Sequence, residues 1–144
     1  MTNKEKITIL KGYVDAEKEH QQLIEMLETI KEKMYGASAQ KITDMPKASG
    51  YNNDKFDNYI ITLESYTERI NINLDKLQKQ RLYIENCINM LDNTTQRMIM
   101  RYRYIEGLRW EEVCVKMNYG WRQTHRLHTN ALKNIKLMRW LYGI

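Results

Sequence analysis

Hydrophobic positions recur along this chain in two long helical stripes, after which the pattern breaks into three short pieces. Over residues 3–35, Ile7, Leu10, Val14, Leu23, Leu27, Ile30 and Met34 return at intervals of three and four, the spacing of one helical face; Glu17 and His20 interrupt it. Glycine adopts the left-handed backbone of a helix end without steric cost, so Gly36 is the expected terminator. Residues 36–53, GASAQKITDMPKASGYNN, have no sustained period and hold the only proline, so they read as a connector. Asp54 is the expected N-cap of the helix that follows.

From Phe56 to Leu91 the spacing alternates between four and three without error. Its positions are Phe56, Ile60, Leu63, Thr67, Ile70, Leu74, Leu77, Arg81, Ile84, Ile88 and Leu91. All but Thr67 and Arg81 are apolar, the signature of a coiled-coil seam. A helix of that length reaches roughly 55 Å at about 1.5 Å per residue, too far to cover its stripe with a small C-terminal unit alone. Two arrangements would cover it, and both fit together in a dimer. The first helix can fold back as an antiparallel hairpin, which the long connector favours, or a second copy of the chain can supply the partner. Thr67 and Arg81 would then mark the register, unless Arg81 extends its guanidinium into water.

Past Leu91 the pattern stops at Asp92-Asn93-Thr94-Thr95, a run of capping residues. Three short helices are expected: Thr95 to Ile105, Arg109 to Met117, and Trp121 to near Met138. A short helix, a tight turn at Asn118-Tyr119-Gly120 and a longer basic helix follow in the order of a helix-turn-helix unit. In the last helix Thr124, Leu127, Ala131 and Ile135 share one side, with Leu132 and Met138 beside them, and should pack inward. Arg122, Gln123, Arg126, Thr129, Asn130 and Lys133 fall opposite. Arginine pairs with guanine, and glutamine and asparagine with adenine, so Arg122, Gln123 and Arg126 near the helix start are the base-contact candidates. Thr129, Asn130 and Lys133 are the candidates for the DNA backbone. The plain alternative is a solvated polar face.

Composition supports the all-α reading. One proline, six glycines and 10% aromatics are too few for a sandwich or barrel, and the apolar residues are mainly Leu, Ile and Met, which suit helices. Charge sharpens it. The chain carries +5 overall, yet residues 1–53 are neutral and residues 54–91 sum to −1. Residues 92–144 hold ten basic groups against Asp92, Glu106, Glu111 and Glu112, a surplus of six positive charges. A basic segment of this kind is the footprint of phosphate neutralisation.

Other chemistry is thin. Cys87 and Cys114 stand apart with no second cysteine near either, which suits two buried thiols in a reducing cytoplasm better than a zinc or redox site. His125 and His128 lack a third ligand, so no metal and no cofactor are expected. His128 is expected at the packing edge of the head and His125 near phosphate, with Trp110 and Trp121 as its core and rim. No phosphate loop, nucleophile–base pair or carboxylate couple occurs, and Glu111-Glu112 is an acidic pair at a helix start, so no enzyme is expected. No run of about 18 apolar residues and no leader pattern appear, so a cytoplasmic protein away from membranes is expected.

The stretch from Ile99 to Val113, with Arg103-Tyr104-Ile105-Glu106-Gly107 and Trp110-Glu111-Glu112-Val113, resembles region 4 of sigma-70-type factors. It is similar above all to small phage-encoded regulators that carry only that region. Arg126-Leu127-His128-Thr129-Asn130-Ala131-Leu132 resembles the family's recognition helix, and the Asp44-Met45-Pro46 connector before a long helix extends the likeness upstream. Arg109 replaces the usual Ser or Thr cap, Cys114 a small Ala, and Gly120 a frequent Ser cap.

The resemblance implies double-stranded DNA as a partner and RNA polymerase as a second one. It does not extend to sigma regions that melt promoters. The expected protein is therefore an all-α, sequence-specific transcription regulator of a phage or prophage. Residues 1–91 would form a helical hairpin or coiled-coil support, and residues 92–144 a helix-turn-helix head. Two rival readings remain. One is the DNA-recognition subunit of a viral packaging terminase, whose head usually comes first in the chain; the other is a coiled-coil protein-interaction module.

Overall fold

The computed structural model describes residues 1–43 and 51–138 as five helices and no strand. They are α1 (Asn3–Thr43), α2 (Tyr51–Asn89), α3 (Thr94–Tyr104), α4 (Trp110–Met117) and α5 (Trp121–Asn134). The all-α expectation holds, with two long helices ahead of three short ones. Asp44-Met45-Pro46 and the final residues from 139 onward lie outside the described residues.

The helix boundaries differ most from expectation at the end of α1, the start of α2 and the end of α5. Gly36 does not end α1, which continues to Thr43 without a left-handed residue at that point. Ala37, Ala39, Gln40 and Lys41 are strong helix formers that together offset the roughly 1 kcal/mol a glycine costs inside a helix. Asp54 sits within the first turn of α2 and so is not its N-cap. α5 ends at Asn134, because Ile135 turns to an extended backbone.

Contacts divide the chain into two compact units, Met1–Glu17 with Leu77–Ile144, and Lys18–Lys76. The first unit is therefore larger than a head beginning at Asp92. Its core joins Leu10 and Tyr13 of α1 to Leu77, Ile84, Cys87, Ile88 and Leu91 from the end of α2. The same cluster takes in Met100 and Tyr104 of α3, Ala131 and Leu132 of α5, and Ile135. The start of α1 and the end of α2 thus cover each other within one chain. At the end of α5, the Lys6 ammonium donates to the carbonyls of Leu132 at 2.5 Å and Ile135 at 2.8 Å. These groups have no partner inside a helix, and a cation there also suits the helix dipole.

In the second unit α1 offers Leu23, Ile24, Leu27, Ile30 and Met34, and α2 offers Phe56, Tyr59, Ile60, Leu63, Tyr66 and Ile70, all half-buried. Its one fully buried side chain among the described residues is His20, whose Nδ1 has no hydrogen-bond partner.

The expected seam of α2 is only partly the buried face. Leu77, Ile84, Ile88 and Leu91 are buried, but Thr67 and Arg81 are exposed and Leu74 is 42% exposed. These three stand seven residues apart. The face that α2 buries is instead the ridge Phe56, Leu63, Ile70, Leu77, Ile84 and Leu91 with its other flank, Tyr59, Tyr66, Asn73 and Cys87, each of them half-buried or buried. Thr67 marks no register, whereas Arg81 faces the Tyr13 hydroxyl of α1. Thr67 donates its hydroxyl to the Leu63 carbonyl at 2.8 Å, and Arg81 pairs with Glu85 at 3.0 Å.

Candidate nucleic-acid interface

The three short helices are built by local rules. Asn93, with an extended backbone, accepts the Gln96 N–H at 3.0 Å and starts α3. Gly107 takes the left-handed conformation that turns the chain between α3 and α4, and a Cβ there would meet Val14 at 3.4 Å. Arg109 precedes α4 without a capping oxygen. Its compensation comes from Glu112, whose carboxylate accepts the Arg109 N–H at 3.1 Å and faces its guanidinium at 3.3 Å. That is the reverse half of a capping box, because arginine has no acceptor to supply the other half. The Arg109 backbone bond, then its side chain, hold the Glu112 carboxyl below the usual carboxylate range.

Asn118 ends α4 in a left-handed conformation, with its N–H on the carbonyls of Cys114 and Val115. Two residues later Gly120 opens α5 from an extended backbone. Its buried side consists of Thr124, His128, Ala131 and Leu132, followed by Ile135. The sequence-based face needs two corrections: Leu127 is half-buried and Met138 is exposed, since Met138 lies beyond the helix end. Cys87 is buried, whereas Cys114 is only half-buried.

The six candidate contact residues all reach the opposite side. Arg122, Gln123, Arg126, Thr129 and Lys133 are exposed, and Asn130 is half-buried. Thr129 already gives its hydroxyl hydrogen to the His125 carbonyl at 2.9 Å, so towards DNA it would act as an acceptor or by shape.

The basic groups of the head fall into two sets. Arg97 holds the Leu91 carbonyl and Thr94, Arg101 holds Asn89 at 2.5 Å, Arg103 holds the Leu108 carbonyl at 2.8 Å, and Arg109 holds Glu112. By contrast Arg122, Arg126 and Lys133 have no hydrogen bond or ion pair among the described residues. Lys116 on α4 is exposed in the same way. Sequence alone could not separate these sets, because the partners of Arg97, Arg101 and Arg103 are set by turns and helix ends.

Beside that face lies a row of tilted aromatic rings. Arg103 sits 4.8 Å over Trp110, whose ring is 4.5 Å from His125 and 4.6 Å from His128; His125 in turn is 4.3 Å from Trp121. Trp110 is half-buried and Trp121 open, near the core and rim expected of them. His128 is buried, and its Nε2 meets the Tyr104 hydroxyl at 2.8 Å.

Burial, then the neighbouring His125 and Arg103, push the His128 pKa down to about 4; burial pushes Tyr104 up to about 12. A depressed histidine means the unfolded chain binds the extra proton first. Stability is therefore intact above pH 6.5 and falls as pH drops from 6.5 towards 4, by up to about 1.4 kcal/mol per unit. Thermal melts at pH 7.5 and 5.0 should show a larger loss for the wild type than for His128→Gln, which still offers Tyr104 an acceptor. Equal losses would mean that His128 is not held neutral.

Among the described residues no group of three His, Cys, Asp or Glu could hold a metal ion, and no helix is long and apolar enough to cross a membrane. The arrangement offers a shape and a set of open donors for binding. It is that of an all-α protein with a tight turn between α4 and α5. The chain belongs to the family described as Protein of unknown function (DUF1492), which matches residues 36–136. No curated protein matches the chain, and neither does any solved structure.

Proposed function

We propose that this protein is a sequence-specific DNA-binding transcription regulator of a phage or prophage, acting through a head like sigma region 4. One observation carries the reading. The head ties four of its arginines into its own structure, whereas Arg122, Arg126 and Lys133, on one exposed face of α5, have no partner among the described residues. A merely solvated face needs no such sorting, whereas phosphates and guanine edges require free cations in a fixed frame. Arg122, Gln123 and Arg126 read bases, while Lys133, Thr129 and Asn130 meet the backbone. RNA polymerase is a second partner by the sigma likeness, and the open Val115 of α4 is an apolar point for such a contact.

The half-buried stripes of residues 18–76 favour a homodimer through the long helices. Two helices alone cover one side of each stripe, and a second copy would complete the layer. Paired heads would then read a two-fold site. Selection of bound sequences from a random duplex pool tests the proposal: the full-length chain should enrich one motif at physiological salt.

A further inference from the structure

We propose that Trp121 reads the 5-methyl group of a thymine in the major groove, at the base step entered by the start of α5. This rests on the DNA-binding reading above. Trp121 is the first residue of α5, adjoins Arg122 and Gln123, and is 54% exposed. The first turn of a recognition helix is the part that reaches base edges.

The indole is held in place. It packs at 4.3 Å on His125, which lies 4.5 Å from Trp110, itself capped by Arg103 at 4.8 Å. Side chains from α3, α4 and α5 thus form one stack whose last member is open, and little rotamer freedom remains to be lost on contact. The ring opens α5 at the edge of a face made of Arg, Gln, Thr and Lys, about 100° round the helix from Arg122, and an apolar complement suits it there. In the major groove only thymine offers one, its C5-methyl group. Stacking on a base face would require an unstacked base, which an intact duplex does not present. Arg122 and Gln123 account for guanine and adenine and leave thymine without a reader.

The test uses the full chain and its selected duplex, with each thymine replaced in turn by deoxyuridine, which removes only the methyl group. At one thymine, beside the base read by Arg122, the wild type should lose about fourfold in affinity, the worth of one buried methylene-sized group. Trp121→Ala should bind the parent duplex several-fold more weakly and show no further loss at that position. Its melting temperature should stay near wild type, because half the ring is already wet.

Three results would overturn the proposal: no thymine sensitive to loss of its methyl, an unchanged deoxyuridine profile in Trp121→Ala, or a variant weakened equally on all duplexes. Should Trp121→Ala fail to fold, Trp121→Phe decides, since a smaller penalty at the same thymine supports the contact and an identical profile overturns it. A wild type that enriches no motif would remove the DNA-binding reading itself, before any thymine is replaced.

Discussion

A chain lacking Met1–Glu17 is expected to lose the folded head, not just the tip of a support helix. Leu10 and Tyr13 are wholly or almost wholly buried, in one cluster with Met100, Tyr104, Leu132 and Ile135. Lys6 closes the end of α5, and Val14 lies beside Gly107. Removing a buried Leu or aromatic side chain costs about 2–5 kcal/mol, and a whole domain is stable by only about 5–15. Losing both side chains and the bonds of Lys6 thus approaches the total. Amide exchange over α3 to α5 in the truncated chain should be unprotected, and its thermal melt should lack a cooperative transition. A melt within about 5 °C of the full chain would show that residues 92–138 fold by themselves. Lys6→Met is the narrower probe, with an expected loss of about 1.5–3 kcal/mol for hydrogen bonds from a charged donor.

The second large effect separates two positions that look equivalent in the heptad pattern. Ile84→Asp should unfold the first unit, because Ile84 is fully buried among Leu10, Tyr13 and Leu77, and an unpaired carboxylate there has no partner or water. The expected cost is at least about 3 kcal/mol. Leu74→Asp, on the exposed flank of α2, should cost under about 1 kcal/mol. Urea titrations of both variants compare them directly. Equal losses would return Leu74 to a buried seam.

Much of the fold was legible because helices announce themselves locally. Spacing of three and four placed α1 and α2, and the caps at Asn93 and Gly120 placed α3 and α5. Gly36 misled because glycine permits a helix end without requiring one. The heptad list misled at Leu74 and Arg81 because spacing does not tell which flank of the ridge through Ile70, Leu77 and Ile84 faces inward: apolar Leu74 stands on the exposed flank and polar Asn73 on the half-buried one.

What sequence could not show were contacts between distant residues. Lys6 and the α5 carbonyls are 126 and 129 residues apart, and no periodicity links them. Nor could it show that Arg101 serves Asn89 while Arg126 stays open, since both are basic residues on amphipathic helices. His128 was assigned to a packing edge; its burial against Tyr104 follows from how α3 meets α5, a tertiary fact.

The central claim is that an open cationic face on α5 reads sequence and phosphate separately, and a salt-resolved titration of the selected duplex tests it most directly. Arg126→Ala should lose about 1–3 kcal/mol on that duplex and much less on random DNA, while melting like the wild type because Arg126 is exposed. Lys133→Ala should weaken binding to every sequence alike and lower the salt slope by roughly one. The contradicting result is an Arg126→Ala chain that binds selected and random duplexes as the wild type does, with the same salt slope, which would leave α5 a solvated face and DNA without a reader.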